Sequence, residues 1–394
     1  MSESRPDPLV ARMREFGTTI FAEMSALAVK TGAVNLGQGF PDTDGPKEML
    51  DAAAEALASG RNQYPPGPGV PELRQAIAAH QRRWWGLDYH PDGEVLVTAG
   101  ATEAIAASIL ALCEPGDEVV CFEPYYDSYA ASIALAGAAR RPVTLRPVDG
   151  RYRFDADALR AAFGPRTRMV LLNSPHNPTG KVFTRDELAL IASLCVEHDV
   201  FAVTDEVYEH LVFSDADSPH LPLATLPGMR ERTLRISSAG KTFSCTGWKV
   251  GWASGPPELV AAVLRVKQFL TFVNAAPLQP AVAVALRLPE AYFREYQADM
   301  EAKRDLLCDG LDDAGFSVFR PEGSYFVTAD ISGLGAGDGV AFCRSLPERC
   351  GVVAVPTQVF YDDPEAGRRI VRFAICKRPE VLADAAARLR RLRA

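Results

Sequence analysis

Short apolar runs rich in β-branched residues alternate along this chain with longer stretches of helical period. Residues 94–98, 119–122, 168–172, 200–204, 233–237 and 250–254 have the length and composition of buried strands. Helices fall between and before them. Residues 16–29 are amphipathic, 47–59 are alanine-rich, and a glycine turn at Gly100 opens a helix to about Cys113. Thr184 with Glu187 forms a capping box, after which Leu188, Ile191, Ala192 and Cys195 mark one helix face. Strands alternating with helices predict an α/β fold on a largely parallel sheet, with ligands beyond the carboxyl ends of the strands. The pattern changes near residue 285. A long charged helix over 292–314 precedes shorter strand-like pieces at 316–319, 324–328 and 370–375. We therefore expect an N-terminal segment over 1–40, a large domain over 41–284 and a small C-terminal domain over 285–394.

Composition narrows the class without naming a partner. The 394 residues are 47% hydrophobic and 23% charged with a net charge of -8, which is globular and argues against a nucleic-acid binder. The 8 cysteines are scattered without a C-x-x-C spacing, as in a reduced cytoplasmic protein. The 6 histidines show no ligand spacing such as H-E-x-x-H, so no metal site is expected. The first residues carry no export signal, and no apolar run is long enough to cross a bilayer. A cytoplasmic location is the expectation.

Several reactive side chains cluster just past the expected strand ends: Asn177, Asp205, Tyr208 and Lys241. The triplet Gly240-Lys241-Thr242 imitates the end of a phosphate-binding P-loop, but the first glycine of that motif is replaced by Arg235 in a strand interior. Lys241 is instead a candidate covalent anchor. The turn into the helix at Gly100 leaves free N–H groups at Ala101 and Thr102, a place for a phosphate. Gly37 and Gly39 let backbone approach a ligand, and Tyr64 sits in a proline-dense loop. Gly333 to Gly339 has Asp338 where a dinucleotide motif needs its last glycine, so it reads as a flexible loop. Arg372 interrupts an apolar strand, and a buried arginine needs a partner. The basic C-terminal helix reads as a solvated end.

Taken in order, the motifs VNLGQGFPD, NQYPPG, NSPHNPTG, TDEVYEHLVF, SSAGKTFSCTGWKVGW and VRFAICKR span nearly the whole chain. In that order they resemble the fold type I, class I aminotransferases that depend on pyridoxal 5'-phosphate. They are similar above all to the kynurenine aminotransferase and cysteine-conjugate β-lyase group and to actinobacterial N-succinyldiaminopimelate aminotransferases. The resemblance implies a mostly parallel seven-stranded sheet flanked by helices, plus a smaller α+β domain.

It also implies roles. Lys241 would bind the cofactor aldehyde covalently and later act as a base, since a lysine pKa shifts readily. Asp205 would keep the ring nitrogen protonated, and Asn177 and Tyr208 would donate to the ring oxygen. Ala101, Thr102, Ser238, Lys249 and Tyr64 of a second subunit would hold the phosphate, with Tyr126 stacked on the ring. Arg372 would clamp the substrate carboxylate, with Gly39, Asn177, Phe21 and a partner-subunit Phe272 bordering the pocket. The implied activity is amino transfer from a kynurenine-, aromatic-, methionine- or glutamine-like L-amino acid to a 2-oxo acid, with ping-pong kinetics, in a homodimer of shared sites. Alternatives on the same site are an N-succinyldiaminopimelate donor and β-elimination from cysteine conjugates. Thr102 and Val273 depart from residues common in the kynurenine group and bear on the substrate.

Overall fold

A computed structural model describes residues 8–393. Its central sheet has seven strands: β2 (Val95–Thr98), β3 (Glu118–Glu123), β4 (Ala139–Thr144), β7 (Thr167–Asn173), β8 (Phe201–Asp205), β9 (Thr233–Ser238) and β10 (Gly251–Ser254). Their order across the sheet is β2-β10-β9-β8-β7-β3-β4, parallel except that β10 runs antiparallel to both neighbours. The near-continuous apolar runs exist because helices cover both faces. Within β3, Val119 and Cys121 enter the core on one side, and Val120 and Phe122 enter the core on the other. The hairpin β5 (Arg146–Val148) and β6 (Arg151–Arg153) stands apart.

The first helices are α1 (Ile20–Thr31), α2 (Lys47–Ala58), α3 (Pro71–Trp85), α4 (Gly100–Leu112) and α5 (Asp127–Ala136). Thr19 accepts from the Ala22 N–H at the start of α1, and Gly32 at φ 65° stops it. The capping box expected at Thr184 is formed, opening the helix Arg185–Glu197.

The later strands β11 (Ser317–Phe319), β12 (Phe326–Asp330), β14 (Val355–Pro356) and β15 (Ile370–Ala374) build an antiparallel sheet in the order β11-β12-β15-β14. The 25-residue helix Glu290–Ala314 packs on its side. β1 (Val34–Asn35) pairs with β13 (Val352–Val353), and Met24, Ala28 and Leu36 share a core with Phe326, Val353 and Phe373. The segment from Gly333 to Gly339 is more ordered than a flexible loop. It holds a 3-10 turn, and Asp338 accepts from the Ala341 N–H to cap the helix Gly339–Cys350. All eight cysteines are buried and free. Among the described residues, no helix is long and apolar enough to cross a membrane.

Candidate active site

The carboxyl edge of the sheet is set by register. Asn173 at the end of β7 lies beside Asp205 at the end of β8, and Ser238 at the end of β9 lies beside Gly251. Above this edge opens a cavity of about 360 Å³, lined among others by Ala101, Thr102, Tyr126, Asp205, Lys241 and Arg372. Twelve of the residues singled out from sequence meet here: Phe21, Gly39, Ala101, Thr102, Tyr126, Asn177, Asp205, Tyr208, Ser238, Lys241, Lys249 and Arg372. Two do not. Tyr64 and Phe272 lie outside the cavity, 81% and 53% exposed, with their rings meeting edge to face at 5.3 Å.

Lys241, just past the end of β9 as expected, sits in a one-turn helix, Ala239–Thr242. Its carbonyl accepts hydrogen bonds from the Tyr296 hydroxyl at 2.8 Å and from the Tyr325 hydroxyl. That grip fixes the peptide, and Nζ donates to the Gly39 carbonyl at 2.9 Å. Among the described residues no carboxylate pairs with it. Desolvation lowers its pKa from 10.5 to about 8, so a neutral amine is within reach near physiological pH.

Asp205 is buried beneath the cavity, and desolvation lifts its pKa to about 6. Two donors oppose that lift. The Tyr129 hydroxyl gives a hydrogen bond at 2.5 Å and the Val207 N–H another at 3.3 Å. Tyr129 was not foreseen: it lies on α5, and nothing in the sequence links it to a residue 76 positions away. A cation opposite Asp205 would stabilise its charged form, and a protonated pyridine nitrogen is such a cation.

At the start of α4, free amides and the positive end of the helix dipole face the same cavity. Lys249 brings a cation to that spot, its Nζ 3.1 Å from where a Gly100 Cβ would be. No carboxylate among the described residues pairs with Lys249. A helix N-terminus beside an ammonium is a favourable seat for an anion such as a phosphate. The close approach needs Gly251, whose Cβ would lie 2.5 Å from the Gly100 carbonyl carbon.

Arg372, on β15, is fully buried, and the partners that a buried arginine needs are neutral ones here. Its Nη1 donates to Asn177 Oδ1 and its Nη2 to the Gly37 carbonyl, each at 2.9 Å, while Nε has no partner. Its guanidinium lies 3.9 Å over the Phe326 ring, and desolvation lowers its pKa to about 10. A buried guanidinium with neutral partners and an unused donor, facing a cavity, is suited to a carboxylate arriving from outside. Because Asn177 Oδ1 accepts from Arg372, the Asn177 amide is oriented with its NH₂ free to donate.

These features fit pyridoxal phosphate: an amine and a guanidinium that lack carboxylate partners, a buried acid and an anion seat all line one cavity. The family model for aminotransferase class I and II matches residues 31–389. The chain belongs to the class I and II aminotransferases. Among its relatives, this aminotransferase is 54% identical to the solved N-succinyldiaminopimelate aminotransferase from Mycobacterium tuberculosis, with a TM-score of 0.95 over 98% of this chain and 100% of that one. It is 40% identical to the methionine aminotransferase of Escherichia coli, over 98% of this chain and 99% of the relative. It is 38% identical to kynurenine–oxoglutarate transaminase 3 of Mus musculus, over 95% and 88%. The chain is thus a transaminase of the fold type I architecture.

Proposed function

We propose that this aminotransferase holds pyridoxal 5'-phosphate on Lys241 and passes an amino group from an L-amino acid to a 2-oxo acid by a ping-pong cycle. The observation that carries the reading is the buried Arg372 without a carboxylate, facing the same cavity as the unpaired Lys241. When bound, the cofactor supplies an aldehyde that accepts the amino group and a ring that spreads the electrons left at the substrate's α-carbon.

The chain's own groups do the rest. Ser238, Lys249 and the amides of Ala101 and Thr102, which line the cavity, would hold the phosphate, and Tyr126 would stack on the ring. Asp205, steadied by Tyr129, would keep the ring nitrogen protonated, while Tyr208 and Asn177 would donate to the ring oxygen. Arg372 orients the substrate carboxylate. Lys241, lowered to about 8, removes the α-proton as a neutral amine and returns it elsewhere on the path.

The lining supports a bulky uncharged donor such as an aromatic, kynurenine-, methionine- or glutamine-like amino acid. Phe21, Phe40, Tyr126 and Phe326 wall the cavity, and the cations lining it are Lys241, Lys249 and Arg372, each already engaged in the scheme above. A second reading, an N-succinyldiaminopimelate donor, is favoured by the identity to the mycobacterial enzyme. We further propose a homodimer in which Tyr64 and Phe272 complete the partner's site, supported by their exposure outside their own cavity; Phe269 is likewise 84% exposed. The division of the chain near residue 285 and a cytoplasmic location, consistent with eight free thiols, belong to the same reading.

Lys241→Ala is expected to lose both turnover and the visible absorbance of bound cofactor; normal turnover in that variant refutes the proposal. A panel of amino donors against 2-oxoglutarate and pyruvate, scored by keto-acid formation, separates the two donor classes.

A further inference from the structure

On the side of the central sheet where α3 meets the segment following β8, His80, Glu209 and His210 place their ligand atoms within 4.8 Å of one another. We propose that this cluster is a site for one divalent transition-metal ion of the zinc type, separate from the aminotransferase cavity. Two imidazoles and a carboxylate are a donor set that such an ion accepts, with water in a fourth position. The two histidines are 130 residues apart in the chain, which is why ligand spacing did not reveal them.

His80 is oriented as a metal ligand usually is. Its Nδ1–H donates to the Leu286 carbonyl at 3.3 Å, which turns the Nε2 lone pair inward. His210 Nε2 faces it at 2.7 Å. Burial holds both rings in the neutral form that ligates. Without an ion, His210 Nε2–H donates to His80. With one, that hydrogen moves to His210 Nδ1, and the two nitrogens part to about 3.3 Å, as Zn–N bonds of about 2.0–2.1 Å require.

Glu209 is already held in place, accepting from Ser237 Oγ at 2.7 Å and from Trp85 Nε1 at 2.6 Å. Arg235 donates to Glu206 at 3.0 and 3.1 Å and makes a longer ion pair with Glu209 at 3.4 Å. His220 donates to Glu206 at 2.8 Å. Two buried carboxylates thus face one guanidinium. A cleft of about 450 Å³, lined by Trp84, Trp85, Glu209, His210 and His220, gives an ion and its water a way in. A bound ion would tie α3 to the stretch that begins with Asp205 and Tyr208.

The test uses the untagged, chelator-stripped holoenzyme titrated with Co²⁺ and Zn²⁺. The expected result is one Co²⁺ per chain with a visible absorption band, displaced by Zn²⁺, and a melting temperature that rises with Zn²⁺. His80→Gln and His210→Ala are expected to weaken binding about 100-fold or more while keeping the cofactor absorbance and the circular dichroism. Imidazole nitrogen NMR of the unmutated chain reads the site directly: Zn²⁺ is expected to shift both Nε2 signals to metal-bound values. The proposal is overturned by no saturable binding of either ion, by an unchanged NMR spectrum, or by undiminished binding in His80→Gln and His210→Ala. None of these outcomes depends on the reading of the aminotransferase cavity.

Discussion

Lys241 becomes reactive through burial. Folding takes its ammonium out of water and offers it a carbonyl in place of a carboxylate, so the charged form loses most of what solvated it. Labelling of Lys241 by an acylating reagent in the cofactor-free protein should therefore reach half its plateau near pH 8, read by peptide mass spectrometry; a midpoint near 10.5 would contradict the geometry. The same shift has a sign for stability. Between about 8 and 10.5 the unfolded chain binds more protons at this residue, so its cost to folding is full below that window and fades as pH rises through it. Asp205 shows the opposite tension, with burial favouring the neutral acid and Tyr129 favouring the carboxylate. Tyr129→Phe removes a hydrogen bond to a charged acceptor, worth about 1.5–3 kcal/mol. We expect roughly tenfold weaker retention of pyridoxal phosphate on dialysis, with the fold intact by circular dichroism.

Strands and helices matter here for what their ends present. β7 and β8 finish in register at Asn173 and Asp205, β9 runs two residues past Ile236, the partner of Asp205, to present Ser238, and α4 begins where Gly251 leaves room for Gly100. No loop need be ordered separately to bring these groups into place. The helix Arg185–Glu197 does a structural task instead. Thr184 accepts from the Glu187 N–H at 3.3 Å, and Glu187 accepts from the Thr184 N–H at 2.8 Å and from Lys181 Nζ at 2.8 Å. Thr184→Ala should lower stability by about 1 kcal/mol in urea titration and leave turnover unchanged, because neither Thr184 nor Glu187 lines the cavity. A large fall in turnover would show that this helix is coupled to the site.

At the scale of the whole molecule, the exposed aromatics Tyr64, Phe269 and Phe272 are the feature that a single chain leaves unexplained. If Tyr64 serves its partner's phosphate, Lys241→Ala and Tyr64→Ala chains should complement each other when refolded together. One of the two sites in each mixed dimer would then carry neither change, giving about a quarter of the unmutated activity on random pairing. Activity no greater than that of the separate variants would place Tyr64 outside the site. The architecture and the cluster at the strand ends were legible because strand and helix periods, glycine turns and the capping box are local patterns, and because the motifs occur in family order. By itself the sequence determined the α/β class, the positions of six of the seven central strands and the chemical types gathered at their ends, all set by neighbours a few residues apart; the edge strand Ala139–Thr144 was set by its pairing with β3. Only the tertiary structure decided that Arg372 meets neutral partners and not an acid, that Tyr129 braces Asp205, that Lys241 rides a helical turn gripped by two tyrosines, and that His80 faces His210. Each of these joins elements distant in the chain, where packing and desolvation, not local pattern, set the partners.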